Sequence, residues 1–198
     1  MIAVIDYEAG NLRSVAKAIE SLGGKVEVTG EPERVLKADK VVLPGVGAFG
    51  KAVHALEEKG LKSAIKEYIG SGRPFLGICL GLQLLYEESE ENPGVKGFGI
   101  IPGKVVRFPK ELKVPHLGWN TVLQKNTHPL WKGIPNGCFF YFAHSYYGVP
   151  SEKVVTGWTE YGISFASAVA LENVFGVQFH PEKSQKWGLK LLENFIKS

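Results

Sequence analysis

The first half of the chain alternates short apolar runs with longer segments of helical periodicity. The apolar runs cover residues 2–5, 25–28, 40–43 and 75–78. Apolar residues recur every three or four positions in segments 11–22, 49–58 and 61–69. Such runs are typical of buried strands, and such periodicity predicts amphipathic helices. Their alternating order favours a parallel sheet with helices on both faces.

The pattern changes after about residue 95. Short β-rich runs, separated by Gly, Pro and Asn, cover residues 105–108, 119–123, 138–142, 154–158, 165–171 and 174–179. This spacing favours antiparallel strands. A last helix is predicted from about 185 to 196, with Ser184 as its N-cap. Because no linker or repeat interrupts the chain, we expect one α/β domain over residues 1–198.

The composition excludes several classes of protein. Of the 198 residues, 44% are apolar and 22% are charged, which argues against disorder. The net charge is only +3, and no Lys/Arg cluster indicates nucleic-acid binding. The two cysteines, Cys79 and Cys138, predict neither a disulfide framework nor a zinc site. Because no apolar stretch approaches the roughly 18 residues of a membrane span, we expect a cytoplasmic protein without a membrane segment.

Residues 77–81, Gly-Ile-Cys-Leu-Gly, have the form of a nucleophile elbow. The apolar run 74–78 leads in as a strand, and residues 80–88 lead out as a predicted helix. The glycines permit the tight turn that frees Cys79 from its neighbours. We expect the amide of Leu80 to face the reacting carbon and the helix N-terminus to favour a thiolate.

A hundred residues later the chain reads Gln178-Phe179-His180-Pro181-Glu182. In an extended segment, His180 and Glu182 leave the chain on the same side. A base and a carboxylate that orients it are the partners that a cysteine nucleophile needs. The sequence therefore predicts a triad of Cys79, His180 and Glu182.

Other residues are weaker candidates. The loop Pro44–Gly47 either supplies an amide of Gly47 or Val46 to an oxyanion hole or is a plain strand-to-helix turn. Gln83 lies one turn after the nucleophile, and a carboxylate of the run 87–91 is a candidate partner for a substrate ammonium. We expect Cys138 in the core. His54, His116 and His128 are expected to be surface or structural residues.

Together these motifs resemble the class I (triad) glutamine amidotransferases. Within that family, segments 6–15, 44–50, 115–120 and 144–146 are similar to those of the glutaminase subunits of imidazole glycerol phosphate synthases. The chain departs from this pattern at Glu8-Ala9, where many relatives carry a glycine. The resemblance implies a flavodoxin-like, mostly parallel sheet with helices on both faces and an additional antiparallel β portion.

The resemblance also implies the activity. Such subunits hydrolyse glutamine to glutamate and ammonia through a thioester on the cysteine, without a metal or cofactor. The ammonia passes to a (β/α)8-barrel cyclase subunit, which makes imidazole glycerol phosphate and AICAR from PRFAR in histidine biosynthesis.

The matching positions carry the family's roles. Cys79, His180 and Glu182 are the implied triad, and Gly47 and Leu80 mark the oxyanion hole. The glutamine-binding residues are Gln83, Glu91, His144, Ser145 and Tyr146, and the positions near the cyclase interface are Asn11, Trp119, Tyr141 and Lys183.

Three alternatives remain open at this point. A cysteine hydrolase or DJ-1-like protein shares the elbow, but does not need Gln83 or the segments 119–120 and 144–146. A sister amidotransferase serving pyridoxal phosphate, GMP or anthranilate synthesis fits the N-terminal motif less well. A non-enzymatic binding module has no need for the complete triad.

Overall fold

The computed structural model describes residues 1–8, 10–125 and 127–198. The helices in these residues are α1 (Leu12–Ser21), α2 (Pro32–Lys37), α3 (Phe49–Glu58), α4 (Leu61–Gly70), α5 (Leu80–Gln83) and α6 (Gln185–Lys197). The strands are β1 (Ile2–Ile5), β2 (Val26–Thr29), β3 (Lys40–Leu43), β4 (Phe75–Ile78), β5 (Glu88–Ser89), β6 (Gly103–Arg107), β7 (His116–Gln124), β8 (Cys138–His144), β9 (Tyr146–Pro150), β10 (Val155–Glu160), β11 (Ser164–Leu171) and β12 (Val174–Val177).

Two sheets organise the described residues. The large sheet has nine strands in the order β2-β1-β3-β4-β12-β11-β10-β7-β8. Its first five strands are parallel, and the other four join them in antiparallel pairs. A small sheet pairs β5 with β6 and β6 with β9. The predicted parallel sheet with an added antiparallel portion is confirmed.

The core lies on both faces of the large sheet. Ala3 and Ile5 of β1 belong to one apolar cluster, which helices α3 and α4 cover. Ile2 and Val4 belong to the other, which α1 and α6 cover. Successive side chains of a strand point to opposite faces, so a strand buried on both faces must be apolar throughout. This requirement explains the continuous apolar runs in the sequence.

Several local predictions were wrong. Strand β2 begins one residue later than expected, and the short helix α2, with Pro32 in its first turn, was not predicted. Helix α5 ends at Gln83 rather than near residue 88, because the chain turns to pair β5 with β6. Strand β12 pairs in parallel with β4 as well as antiparallel with β11. This central position suits its fully buried, apolar sequence.

Ser184 precedes α6 but does not cap it with its side chain. Its Oγ donates to the carbonyl of His180 at 2.6 Å and accepts from the amide of Tyr141 at 2.9 Å. The hydroxyl therefore ties the segment after β12 to β8. Cys138, expected in the core, is only half-buried at the edge of one apolar cluster, because β8 is an edge strand of the large sheet.

Candidate active site

Cys79 lies in a strained turn between β4 and α5. Its backbone has φ 54° and ψ −108°, in the left-handed half of conformational space that side chains rarely adopt. Its amide donates to the carbonyl of Val177 on β12 at 2.8 Å, which fixes the turn against the sheet. The strand, the sharp turn and the short helix together form the predicted nucleophile elbow.

Glycine is required on both sides of this turn for close packing. A Cβ at Gly81 would lie 1.8 Å from the carbonyl oxygen of Leu43, at the end of β3. A Cβ at Gly77 would lie 2.7 Å from the carbonyl oxygen of Gly81. The two glycines therefore let strand and helix approach more closely than any side chain permits.

The Cys79 thiol is buried, with 5% of the residue exposed. Its Sγ lies 3.9 Å from the carbonyl oxygen of Ala143, to which a thiol can donate. The side-chain amide of Gln178 lies on another side, with Nε2 3.7 Å from Sγ. The nucleophile position thus has one acceptor and one donor within reach.

His180 and Glu182 form a buried pair beside the elbow. His180 Nδ1 lies 2.8 Å from Glu182 Oε1, and both side chains are inaccessible to solvent. The amide of His180 donates to the carbonyl of Tyr141 at 2.8 Å, which holds the imidazole against β8. The expected extended segment is instead a 3-10 turn over Pro181–Lys183, because proline begins a helical turn readily. The two side chains still meet.

Asn11, in the N-terminal segment, adds a third side chain to this hydrogen-bonded pair. Its Nδ2 donates to Glu182 Oε1, the same oxygen that bonds His180. Its backbone is left-handed, with φ 77°, and its side chain makes no capping bond to α1. Glu8 is also left-handed, with φ 70°, whereas Ala9, the other residue of the predicted departure, lies outside the described residues.

The electrostatics of His180 follow from its neighbours. Burial alone disfavours the imidazolium, but Cys79 and the Glu182 carboxylate outweigh it and raise the pKa of His180 to about 10. Its Nε2 is buried without a hydrogen-bond partner among the residues described. A ring that is oriented through Nδ1 and has a free second nitrogen is suited to exchanging a proton with the thiol.

The elbow opens into a cavity of about 220 Å³. Residues from five parts of the chain line it: Val46, Gly47, Cys79, Leu80, Gln83, Glu91, Pro115, Ala143, His144, Ser145 and Tyr146. All the predicted oxyanion-hole and glutamine-binding residues are in this set. The volume is suited to a small polar molecule such as an amino acid.

The loop Pro44–Gly47 forms one wall of the cavity. The Leu80 amide does not face the cavity freely, because it donates to the carbonyl of Gly45 at 3.4 Å. Tyr7 supports the loop from behind by donating its hydroxyl to the carbonyl of Pro44 at 3.0 Å. Burial, with the nearby Cys79, raises the pKa of Tyr7 well above its ordinary value, so the hydroxyl stays a donor.

Glu91 and Gln83 are each committed to a partner at the cavity. Glu91 Oε2 accepts from the amide of Phe49 at 2.8 Å, at the start of α3. Gln83 Nε2 donates to the carbonyl of Tyr146 at 2.9 Å and to Gln178 Oε1 at 3.1 Å. Each side chain is therefore held in one orientation before any ligand binds.

His144 is buried and paired with a second histidine, His116, a contact that the sequence did not indicate. Its Nδ1 donates to the carbonyl of Tyr146 at 2.8 Å, and its Nε2 lies 2.9 Å from Nδ1 of His116. Asn120 bonds Nε2 of His116 at 3.2 Å. Burial lowers the pKa of His144 to about 3 and that of His116 to about 4, so both rings are neutral. His144 thus forms a rigid wall of the cavity.

Sequence reasoning assigned no role to His116, Gln178 or Tyr7 at this site. His116 was expected to be a surface or structural residue, and it is buried against His144. Gln178 stood two residues before His180 in the motif, and Tyr7 follows β1. Their positions beside a motif and a strand could have indicated a role at the site, but only the fold brings both residues close to Cys79.

An apolar surface lies on the outer face of β7 and β8. Leu117, Trp119, Leu123 and Phe139 are each 46–65% exposed there. Trp119 contacts Tyr141 edge to face, with ring centroids 6.0 Å apart, and Lys183 Nζ lies 5.9 Å from the centre of the Tyr141 ring. Trp119, Tyr141 and Lys183 therefore lie together, whereas Asn11 contacts the triad instead.

The described residues, 1–8, 10–125 and 127–198, show neither a metal-binding cluster nor a candidate membrane-spanning helix. No group of three or more His, Cys, Asp or Glu side chains there is arranged to hold a metal ion. No helix in the same part of the chain is long and apolar enough to cross a membrane.

The chain is similar to known proteins over nearly its whole length. The family described as glutamine amidotransferase class-I matches residues 3–198. The imidazole glycerol phosphate synthase subunit HisH of Nitrosococcus oceani is 55% identical, covering 98% of this chain and 96% of that protein. The HisH subunit of Methanocaldococcus jannaschii is 52% identical, covering 99% and 98%.

Solved structures show the same fold at lower identity. The structure of PurLQS from Thermotoga maritima matches with a TM-score of 0.78 and 20% identity, covering 99% of this chain and 97% of that one. Fold, elbow and full-length sequence similarity all lead to one assignment. The chain belongs to the class I glutamine amidotransferases, in the group of the imidazole glycerol phosphate synthase subunits HisH.

Proposed function

We propose that this protein hydrolyses glutamine to glutamate and ammonia at Cys79 and delivers the ammonia to a (β/α)8-barrel cyclase subunit of imidazole glycerol phosphate synthase. The cyclase then converts PRFAR to imidazole glycerol phosphate and AICAR in histidine biosynthesis. The observation that supports this best is the strained Cys79 beside the buried His180–Glu182 pair, at the base of a cavity sized for an amino acid. The names of the relatives support the choice of partner.

The reaction begins with the proton of Cys79 on His180. The raised pKa of His180 favours the imidazolium beside a thiolate. The thiolate attacks the side-chain carbonyl of glutamine, and His180 gives its proton to the departing ammonia, leaving a thioester. Water then attacks the thioester with His180 as base, which releases glutamate and restores the thiol proton to the pair.

Glu182 and Asn11 keep the imidazole in place during these steps. Glu182 orients Nδ1 of His180 and balances the imidazolium charge, as the carboxylate of a triad does. Asn11 holds the Glu182 carboxylate. Because Asn11 directly precedes α1, its contact links the triad to a helix outside the sheet.

The oxyanion is placed against backbone amides of Leu80 and of Gly47 or Val46. In the present conformation the Leu80 amide is engaged by the Gly45 carbonyl over a long 3.4 Å contact. A rotation of this loop frees the amide, and Gly47, at φ 111°, tolerates such a change. We therefore propose that the Pro44–Gly47 loop is a switch that turns when the cyclase is docked and occupied.

Glutamine is held by the other residues of the cavity. The Glu91 carboxylate, which caps α3, is suited to the substrate ammonium. Gln83, Ser145 and Tyr146 frame the substrate with polar groups. His144 has both ring nitrogens engaged, so we assign it the role of a wall rather than of a hydrogen-bonding ligand.

The exposed apolar surface of β7 and β8 is the proposed docking site for the cyclase. Exposed aromatic and apolar side chains at this density mark contact surfaces. Trp119 and Tyr141 lie on this face, and β8 also supplies Ala143 and His144 to the cavity wall. A partner here touches the same strand that lines the site, which allows ammonia to pass without meeting bulk water.

The experiment that tests the proposal measures glutamate release from glutamine with and without the cyclase subunit carrying its ribotide ligand. We expect strong stimulation by the occupied complex. Cys79→Ala should abolish glutamine use but spare cyclase activity supplied with ammonium salts. Absence of glutamate in a confirmed complex of folded subunits would favour the cysteine hydrolase alternative.

The single domain over 1–198 and the cytoplasmic location stay predictions.

A further inference from the structure

Gln178 lies directly behind the nucleophile and is fully buried. It follows β12, and its backbone amide donates to the carbonyl of Ser167 on β11 at 2.9 Å, so the backbone is held in the large sheet. Its side-chain Nε2 lies 3.7 Å from Cys79 Sγ, and its Oε1 accepts from Gln83 Nε2 at 3.1 Å. A buried amide between the nucleophile and another amide needs a defined orientation.

We propose that Gln178 is a catalytic residue that stabilises the Cys79 thiolate by donating an amide N–H to Sγ. Its orientation is set by the carbonyl of Tyr146, acting through Gln83. This role rests on the proposed function, since it serves the same nucleophile.

The orientation follows from a chain of hydrogen bonds that begins at a backbone carbonyl. The Tyr146 carbonyl can only accept, and it receives Gln83 Nε2 at 2.9 Å. Gln83 must therefore turn its NH₂ group toward Tyr146, and the same group donates to Gln178. Gln178 consequently turns its oxygen toward Gln83 and its NH₂ group toward the sulfur.

The reverse orientation is unfavourable at two points. Turning Gln178 over would place its NH₂ group against that of Gln83. Turning Gln83 over as well would place its oxygen against the Tyr146 carbonyl, which already accepts from His144. Two facing acceptors repel each other and forfeit the hydrogen bond between Gln83 and Tyr146, and such a loss is costly in a buried site. One fixed carbonyl thus sets both amides.

The donated N–H favours the charged form of the nucleophile. As a thiol, Cys79 can donate to the Ala143 carbonyl at 3.9 Å. As a thiolate it has no proton for that carbonyl and requires donors, and its burial keeps most water away. Gln178 supplies one such donor without a proton transfer of its own. A hydrogen bond to the charged form lowers the free energy of that form.

The titratable neighbours of the sulfur act differently from Gln178. His180 exchanges a proton with the thiol, whereas Tyr7 is a hydroxyl whose pKa is raised by burial and, to a smaller degree, by the Cys79 charge. The Tyr7 hydroxyl is already committed to the Pro44 carbonyl, and His180 acts on the sulfur by moving a proton. The contribution of Gln178 is therefore separable from proton transfer.

The test measures alkylation of Cys79 by iodoacetamide across a pH series, in the full-length chain with Cys138→Ser to remove the second thiol. Gln178→Met keeps the length but removes the donor, and Gln178→Glu keeps the shape but turns an acceptor toward the sulfur. Gln124→Met is the matched control, because Gln124, at the end of β7, donates to the carbonyl of Ile134 and does not line the cavity.

We expect Gln178→Met to shift the midpoint of the alkylation profile upward by about one pH unit, which is roughly a tenfold loss of reactive thiolate at pH values below the midpoint. Gln178→Glu should shift it further, and Gln124→Met should leave it unchanged. If both Gln178 variants fold and react like the parent, the proposal is wrong.

A further variant covers failure to fold. If circular dichroism shows that neither Gln178 variant folds, Gln83→Met tests the same chain of hydrogen bonds. It removes the partner that orients the Gln178 amide. Reactivity equal to the parent in that variant would also overturn the proposal. The readout does not depend on glutamine. Fast alkylation that depends on Gln178, in a protein that releases no glutamate with its partner, would support this proposal and contradict the proposed function.

Discussion

Gly81→Ala is the sharpest test of how the elbow is built. The added Cβ would lie 1.8 Å from the Leu43 carbonyl oxygen, whereas such contacts are essentially never shorter than 3.0 Å. Both groups belong to backbone: Gly81 is in α5, and Leu43 ends β3 immediately before the Pro44–Gly47 loop. No side-chain rotation can relieve the contact, so backbone must move.

The required movement is roughly 1 Å, and it displaces both the elbow and the Pro44–Gly47 loop. Backbone displacement in a packed core costs about 3 kcal/mol or more of the free energy of unfolding. A displacement of about 1 Å between a nucleophile and its oxyanion hole lowers kcat by about 100-fold. We therefore expect Gly81→Ala to lose both stability and glutaminase turnover.

Gly70→Ala is the matched control for this change. Gly70 is exposed at the end of α4, and a Cβ there has nothing within 4 Å. Alanine in a helix should leave stability unchanged or raise it by up to about 1 kcal/mol. The assay combines urea unfolding of each variant with glutamate release in the presence of the cyclase subunit. Stability of Gly81→Ala within about 0.5 kcal/mol of the parent, together with normal turnover, would refute the close packing described for the elbow.

The remaining predictions concern the triad, the buried histidines and the docking surface. Glu182→Gln should reduce kcat less than His180→Ala, because it disturbs orientation without removing the base; the reverse order would contradict the assigned roles. The pKa values of His116, about 4, and of its partner His144, about 3, lie below the value of a histidine in the unfolded chain. At acid pH the unfolded chain therefore binds more protons than the folded protein. Stability should therefore be present above pH 6.5 and fall by about 2 kcal/mol per histidine between pH 6.5 and 5. Urea unfolding at both pH values should show a smaller fall in the free energy of unfolding for His116→Gln than for the parent. Equal falls would exclude the buried histidines as the cause. Trp119→Ala should weaken cyclase binding by about 2 kcal/mol, whereas Val28→Ala, on an exposed strand at the opposite edge of the large sheet, should not; calorimetric titration that finds equal affinities would exclude the proposed surface.

The sequence by itself determined the central strands of the sheet and the elbow. The apolar runs of β1, β3 and β4 agree with their strands because a strand buried on both faces needs apolar residues at every position. The glycines around Cys79 predicted the turn, since few other residues tolerate such close packing. These features are encoded locally, within a few residues of one another.

Only the tertiary structure decided which polar groups meet. Asn11 contacts Glu182 across 171 positions, and Gln178 contacts Cys79 across 99. His116 was expected from the sequence to be a surface or structural residue, and it is buried against His144 because β7 pairs with β8. Local patterns fix the backbone state of each segment, but side-chain partners depend on sheet order and register, which non-local packing determines.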